Sequence, residues 1–455
     1  MTTHFWVISK RHDKIPKEDI VCLIEKDLKI RPENLQQKCD QTLSAIEIDF
    51  LSVIGAVALT DRTIKRKKFQ WNRQLVVHIS VYRPERWYES QNKLVEGLNF
   101  LTGDDWNFEF IQREGEILES FQGTLFKDIK GEIVVMPYSG GMDSYAGLKL
   151  LKHDEPKVKP FLVTTEFKKT LETRKVALHT SRSLDKSDNR VYVPITFSRR
   201  DHPEISFRSR TFVFFSIAAI VAHLIGSTRI LIPESGQGTL GTALITLQAT
   251  APTFTTKLRN FLTTLWHNVP TFEHPFLWNT KAEILHRLTH IHQTDALLTT
   301  RSCSRPTARN KGLSGAPKHC GICSNCLLRR MALVMGGFTN DHEQEEYVWK
   351  NLDAEDLELT TSFGIKTTKN DRDIAVRAIL NHQQLADLST QSGDFKNLVF
   401  QLSYSLEESE NLVAERLNSL LYQHRQEWKK FLSLFAPNSW IVNMARRTTC
   451  HHSIT

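Results

Sequence analysis

The chemistry of the chain concentrates in one run, Val134-Val135-Met136-Pro137-Tyr138-Ser139-Gly140-Gly141-Met142-Asp143-Ser144. An apolar strand-like segment, Ile133 to Met136, breaks into a serine and two glycines, and Tyr145 to Leu151 reads as the start of a helix. A strand that feeds a glycine turn and a helix N-terminus suits a phosphate group. The glycines let the backbone approach the anion, and the N–H groups of the first helical turn point at it. Ser139 and Ser144 bring hydroxyl donors, Met142 lies inside the turn, and Asp143 can cap the helix or help hold Mg²⁺. No lysine follows the glycines, so this is not the G-x-x-x-x-G-K-[ST] loop that grips a β/γ-phosphate. An ordinary glycine turn ahead of a core helix is the competing reading.

A second constellation follows. Cys320-Gly321-Ile322-Cys323-Ser324-Asn325-Cys326 places three thiolates at two-residue gaps, with Cys303 seventeen residues before the first. Four thiolates close a tetrahedral shell, the arrangement of structural zinc, although C-x₂-C-x₂-C also suits an iron–sulfur cluster. Lys318, His319, Arg329 and Arg330 are basic neighbours that would favour thiolates. Cys22, Cys39 and Cys450 have no companions nearby and read as plain thiols. His286 and His290 stand four apart with Glu283 before them, but position 287 is Arg, so the H-E-x-x-H chemistry is absent and a solvated helix face is expected.

The elements that must position these groups fall into three segments. The chain has 455 residues, enough for two or three domains, and its 40% apolar and 24% charged shares are those of a soluble globular protein. Segment 1–129 reads as an α+β accessory domain with a buried helix near Ile48 to Leu59 and a half-buried strand from Gln74 to Val81. Gly103-Asp104-Asp105 marks a turn, and the basic run Arg62, Lys65, Arg66, Lys67, Lys68 reads as a solvated loop. In segment 130–338 strands alternate with helices. Pro160 to Thr165, Val191 to Ile195 and Thr228 to Ile232 are β-rich, and Phe212 to Ile225 is a largely apolar run containing Ser216 and His223. That alternation predicts a doubly wound parallel sheet, an α/β fold, with ligands at the carboxyl ends of its strands. Ser139 to Ser144, the loop after Thr165 and Glu234-Ser235-Gly236-Gln237-Gly238 would then share one crevice. Segment 339–455 reads as helical, with apolar periodicity over Ile374 to Leu388, Phe395 to Leu406 and Leu412 to Phe435. The tail Thr448 to Thr455, with His451 and His452, is expected to fray.

Composition also bounds the partners. The net charge of +8 suits anionic ligands such as nucleotides or RNA but discriminates weakly. Met1-Thr2-Thr3-His4-Phe5-Trp6 shows no charged segment ahead of a long apolar core, and the longest apolar run is too short for a bilayer, so neither secretion nor a membrane partner is expected. Seven cysteines, four of them clustered, suit a reducing cytoplasm and a metal site rather than disulfides.

The Ser139–Ser144 loop resembles the Ser-Gly-Gly-x-Asp-Ser loop of PP-loop ATP pyrophosphatases, which fold as adenine nucleotide α-hydrolases. Together with Cys303, Cys320, Cys323, Cys326 and Arg329 it is similar to QueC, the 7-cyano-7-deazaguanine synthase family. Ser209 to Ala218 looks like the family's Pro-x-Arg-Asn stretch and the helix after it, and Asn279-Thr280-Lys281-Ala282-Glu283-Ile284 like its Thr-Lys-Ala-Glu-Ile segment. The resemblance covers roughly residues 131–338. The family's Tyr-Gly-Gln is replaced near Glu166-Phe167-Lys168-Lys169, its Asp-x-Ser-x-Tyr-Pro-Asp-Cys stretch by Ser235-Gly236-Gln237-Gly238-Thr239, and Thr211 stands where the family has Asn. With the segments at either end, including Ala58 to Arg62 and Leu101 to Trp106, the chain looks like the QueC-like proteins of bacterial anti-phage clusters, QatC-type members of the Qat system above all and those of one CBASS class.

The resemblance implies ATP, Mg²⁺ and Zn²⁺ as cofactors and a 7-deazaguanine carboxylate as substrate. It places Ser139, Gly140, Gly141, Met142, Asp143 and Ser144 at the nucleotide; for the chemistry the candidates are Ser139, Asp143, Glu234, Arg210 and Lys281, with a structural ion pair the competing reading for the last three. The carboxylate would be adenylated and passed to a nitrogen, ammonia in the synthase family or an amine of a partner protein from the same gene cluster. A PP-loop tRNA-modifying enzyme, which would take a nucleic acid, and a nucleotide-binding scaffold are the rival readings.

Overall fold

The structure, a computed structural model, describes residues 2–10, 15–67, 70–115, 131–168, 184, 188–198, 203–204, 206–240, 251–305, 319–339, 345–361 and 365–451. Its strands, in chain order, are β1 (Thr2–Ile8), β2 (Ile20–Leu23), β3 (Leu28–Ile30), β4 (Gln74–Val81) and β5 (Asp105–Gln112). There follow β6 (Ile133–Pro137), β7 (Lys159–Lys168), β8 (Asn189–Phe197), β9 (Arg229–Leu231) and β10 (Thr271–Glu273). The helices are α1 (Glu33–Cys39), α2 (Ala45–Thr63), α3 (Pro84–Thr102), α4 (Met142–Asp154), α5 (Arg210–Leu224), α6 (Gly236–Leu240) and α7 (Pro252–Leu265). After them come α8 (Lys281–His290), α9 (Ser324–Met335), α10 (Lys369–Asp387), α11 (Gly393–Leu406), α12 (Glu410–Leu432) and α13 (Trp440–His451).

The chain divides into two compact units. The first comprises Met1–Ser139, Asp154–Ile232 and Leu247–His274, the second Gly140–His153, Pro233–Thr246 and Pro275–Thr455.

In the first unit β2, β1, β4 and β5 form a sheet in that order, and every pair in it is parallel. A second sheet runs β10-β9-β6-β7-β8-β3, parallel except for the edge pair of β3 with β8. The doubly wound parallel sheet expected from the strand–helix alternation is thus present. Its order reverses at β6, because the chain runs outward through β7 and β8 and then returns to β9 and β10 on the other side. A reversal of this kind marks the ligand-binding edge of an α/β sheet. The expectation of an α+β N-terminal part is corrected: parallel neighbours need crossovers, and β4-α3-β5 is a right-length βαβ unit. Among the described N-terminal strands only β3 pairs antiparallel, and it does so with β8.

Two helices that are apolar on every side occupy the middle of this unit. In α2 the residues from Phe50 to Asp61 are all buried, and in α5 Phe212, Val213 and Phe215 to Ala222 are. A helix apolar all round belongs inside a core. Accordingly α2 packs on β3, β4 and α5, while α5 packs on β6, β7 and β9. Asp49 is tolerated there because its carboxylate accepts the amides of Tyr82 (2.7 Å) and Arg83 (2.9 Å) at the start of α3. Burial raises its pKa to about 6 against those bonds.

The basic run also departs from expectation at Arg66. Lys65 and Lys67 are exposed, but the Arg66 side chain is buried beside Asp61, Asp104 and Glu204 and donates its amide to Glu204 at 2.9 Å. Arg73 pairs with two of these acids, 2.6 Å from Asp61 and 2.5 Å from Asp104. Pairing of this kind offsets the cost of burying a guanidinium. Lys68 lies outside the described residues.

The second unit is helical among its described residues. Met142, Tyr145, Ala146 and Leu150 of α4 pack with Ile284, Leu285 and Leu288 of α8 and with Ala332 and Leu333 of α9. The periodicities beyond residue 369 are realised as α10, α11 and α12, whose apolar stripes meet around Leu385, Leu398, Leu402, Leu417 and Leu421. No helix among the described residues is long and apolar enough to cross a membrane.

Candidate active site

The glycine turn is built by backbone geometry. Gly140 has φ 71°, a region in which a side chain is strained, and its carbonyl accepts the amide of Arg301 at 3.0 Å. The Gly141 carbonyl accepts the Tyr145 amide and the Ser144 hydroxyl, both at 3.0 Å, so Gly141 opens α4. Of the two hydroxyls expected to reach a phosphate, that of Ser144 is therefore engaged within the turn, whereas Ser139 is exposed at the end of the first unit. Met142 is fully buried against the α4–α8–α9 core and offers a ligand only its backbone. The stem before the turn is pinned in the first unit, where the Tyr138 amide donates to Val163 at 2.8 Å and Thr164 Oγ1 donates to the Tyr138 carbonyl at 3.0 Å.

Three ionisable groups of the second unit meet at the opening turn of α4. Lys281 Nζ lies 2.6 Å from Asp143 Oδ2, both side chains largely withdrawn from solvent. Glu234 stands within electrostatic reach of both, and burial and the Asp143 charge push its pKa up to about 7 against the pull of Lys281. Its carboxylate makes no hydrogen bond among the described residues, and its Oε2 would lie 2.9 Å from a Cβ on Gly238. Glu234 is thus half-buried, unpaired and near neutrality in its titration, which is the condition of a proton-transfer group. In chain order these residues follow the carboxyl ends of β6, β9 and β10, three adjacent strands.

Lys281 is placed by a buried polar network that the sequence reading had not found. It is the first residue of α8, whose N-cap Thr280 forms a capping box with Glu283. Its own amide donates to Gln237 Oε1 at 2.7 Å. Gln237 Nε2 donates in turn to His424 Nδ1 (2.9 Å) and Glu427 Oε2 (3.1 Å), and Thr280 Oγ1 donates to Glu427 Oε1 at 2.6 Å. His424 Nε2 reaches the His382 carbonyl at 3.0 Å, and His382 Nε2 reaches the Ser324 carbonyl at 3.2 Å. A carbonyl can only accept, so both histidines carry their proton on Nε2 and the Gln237 amide meets a bare Nδ1. Burial lowers their pKa values to about 3 for His424 and about 4 for His382, so both rings are neutral. Burial raises that of Glu427. The signal in the sequence was a histidine and a glutamate on the apolar stripe of α12, between Leu420 and Trp428, where exposed-type residues are out of place.

The four cysteines converge. Sγ atoms of Cys303, Cys320, Cys323 and Cys326 all lie within 4.8 Å of one another, three of the residues being buried. A single zinc with Zn–S near 2.3 Å sets tetrahedral sulfurs about 3.8 Å apart. Cys320 and Cys326 are separated by 3.7 Å, and a cluster of several irons would spread the thiolates farther, so the set fits one zinc ion. The amides of Cys320 and Cys323 point at the sulfurs of Cys303 and Cys320, at 3.4 Å each, and Cys323 caps α9. Arg329 and Arg330 stand within electrostatic reach of the Cys326 thiol, and Arg330 of Cys320 as well, while their hydrogen bonds go to the frame. Arg329 is bound to Glu345 and to Thr300 Oγ1 (2.8 Å), and Arg330 lies 3.7 Å over the Tyr347 ring and donates to the Trp349 carbonyl at 2.6 Å. Lys318 lies outside the described residues, as does most of the loop after Thr165.

Arg210 belongs to the first unit. Its guanidinium sits 5.0 Å over the Phe214 ring and has no ion pair or hydrogen bond among the described residues. His286 and His290 are exposed with their Nε2 atoms 3.1 Å apart, on the solvated face expected of them.

Residues 163–337 match the sequence model of the queuosine biosynthesis protein QueC. That segment, less than half of the chain, is QueC-like. It includes Arg210, Glu234, Lys281 and the four cysteines, begins after the Ser139–Ser144 turn and ends before α10. QueC is a family of ATP-dependent synthases, so the match supports an ATP-using enzyme with a zinc site. No curated protein is similar enough to match the chain.

Proposed function

We propose that this chain is a QueC-like adenylating enzyme that activates a 7-deazaguanine carboxylate with ATP and passes it to a nitrogen nucleophile. The observation that carries the reading is the Asp143–Lys281–Glu234 cluster at the mouth of a glycine turn and helix start. Gly140, Gly141 and the first turn of α4 hold the phosphates through backbone N–H groups, with Ser139 beside them. The substrate carboxylate oxygen attacks the α-phosphorus, the bond to the bridging oxygen breaks, and pyrophosphate leaves an acyl-adenylate. Lys281 neutralises the negative charge that develops in this step. The nitrogen then attacks the acyl carbon, its proton passes to Glu234, and AMP departs with the bonding electron pair.

Two carboxylates close enough to raise the pKa of one of them suit a hard divalent ion. Asp143 is the residue assigned to Mg²⁺, which supplies charge neutralisation on the phosphates. Cys303, Cys320, Cys323 and Cys326 would hold zinc, which supplies rigidity to the start of α9 and no reaction chemistry.

The acceptor we assign is an amine of a partner protein, and the setting is anti-phage defence. The support is the resemblance of the added segments and the replacement of the family's acceptor motif by Ser235 to Thr239. The test incubates the purified chain with ATP, Mg²⁺ and 7-carboxy-7-deazaguanine, alone and with the proteins of neighbouring genes. AMP release with a mass increase on one of those proteins is expected. A nitrile product with ammonia would return the chain to the synthase reaction, and no AMP under any of these conditions overturns the proposal.

A further inference from the structure

The polar network behind Lys281 crosses from the QueC-like segment into helices that the family match does not reach. Gln237 and Lys281 lie inside residues 163–337, while His382, His424 and Glu427 lie beyond them. We propose that Gln237, Glu427 and His424 are positioning residues for Lys281, so that α10 and α12 complete the active site. This rests on the adenylation reading above.

The argument is one of satisfied valence. Gln237 has one carbonyl oxygen and two amide protons. The oxygen takes the Lys281 amide, one proton goes to His424 Nδ1 and the other to Glu427 Oε2. Glu427 Oε1 holds the Thr280 hydroxyl at 2.6 Å and the Gln423 amide at 3.1 Å. The two residues that start α8, Thr280 and Lys281, are therefore each tied to α12, one directly and one through Gln237. Gln237, His424, Glu427, Thr280 and Lys281 are all buried, so no water replaces a lost partner cheaply.

The segment carrying Gln237 is itself seated against α12. A Cβ on Gly236 would come 2.5 Å from Leu420 Cδ2 and 2.2 Å from the Leu277 carbonyl, so backbone, side chains and helix fit without slack. The same segment carries Glu234 two residues earlier. Moving α12 would shift both Glu234 and the Lys281 end of α8, and Lys281 must keep its 2.6 Å contact with Asp143 for the cluster to hold its charge balance. The path continues through the His382 carbonyl to the Ser324 carbonyl at the start of the cysteine-bearing α9.

The test uses the full chain and three variants: Gln237→Leu, Glu427→Gln, and the exchange Gln237→Glu with Glu427→Gln. Each is measured for kcat and KM of ATP-dependent AMP release, normalised to molecules that bind ATP and contain zinc. Supporting residues one layer behind a site typically cost 10–100-fold when removed. Gln237→Leu and Glu427→Gln should therefore lower kcat about 10–100-fold, with KM for ATP nearly unchanged. In Glu427→Gln two amide groups face each other. The exchange restores a carboxylate against an amide, and His424 can answer the new carboxylate by taking a proton on Nδ1, so kcat should return most of the way.

A merely structural network would lower the fraction of competent molecules and leave the normalised kcat alone, which would overturn the inference. So would an exchange variant no better than Glu427→Gln, a comparison that stands even if Gln237→Leu does not fold. Wild-type protein that never releases AMP would instead remove the adenylation reading, and binding of ATP by the variants would still be measured.

Discussion

Replacing Glu234 with glutamine should stabilise the protein, and only on the alkaline side. The carboxyl has an ordinary pKa of 4.5 and is raised to about 7, first by burial and then by the neighbouring Asp143 charge. A group whose folded pKa is raised keeps its proton more tightly in the native state. The stability this represents is fully present below pH 4.5 and is lost as the pH rises through about 7. At about 1.4 kcal/mol per tenfold, the full displacement corresponds to a ceiling of about 3 kcal/mol. The residue is only half-buried, so solvent screening brings the working figure to about 1–2 kcal/mol. Glutamine imitates the protonated acid and carries no such loss. The variant should match the wild type closely at pH 5 and exceed it by about 1–2 kcal/mol at pH 8, read as the shift in urea midpoint multiplied by a common m-value. Magnesium-free buffers keep a cation from relieving the same repulsion. An equal offset at both pH values, or a loss at pH 8, would refute the placement of Glu234 beside Asp143.

The other expectations concern the remaining members of the site. Lys281→Met removes the cation 2.6 Å from Asp143 and should cut AMP formation about 10²–10³-fold, while the rising limb of the pH–rate profile moves to higher pH because Lys281 no longer holds the Glu234 pKa down. Cys323→Ser should take bound zinc from one ion per chain to none by elemental analysis and lower the melting temperature, because Cys323 belongs to the four-sulfur set that holds the start of α9. An unchanged zinc content would mean that the four cysteines do not share one ion.

The parts that the sequence revealed are those in which local pattern and tertiary demand coincide. The β6 run is short and apolar, Gly140 after it takes a positive φ, and α2 and α5 are largely apolar all round because both lie inside the core. These signals are carried by neighbouring residues, so they can be read along the chain. The N-terminal half-sheet was misjudged because Trp87, Leu94 and Leu98 face inward from α3 at helical spacing but are embedded among many polar residues. In the adjoining β5, Trp106, Phe108 and Phe110 alternate inward, and the register with β4 is what makes that alternation a strand of this sheet. The strand β10 is only three residues long and had no pattern to show. Arg66 looked like one of several loop cations, and only the arrival of Asp61, Asp104 and Glu204 from three other segments makes it internal.

The candidate site divides in the same way, and the division bears on what the outer helices are for. Asp143, Glu234, Lys281 and the cysteines belong to motifs whose residue types advertise their chemistry. Gln237, His424 and Glu427 advertise nothing, since each is chemically ordinary and the three are spread over almost two hundred positions. Burying a histidine, a glutamine and a glutamate in a helical core is costly unless every donor and acceptor is matched. A core that needed only cohesion would use leucine at those positions, as α11 and α12 do a turn away at Leu402, Leu417 and Leu421. The matched polar set therefore argues for a requirement beyond cohesion. Among the described residues it borders the Lys281–Asp143 pair and the start of α9, which places that requirement at the proposed nucleotide turn and its support.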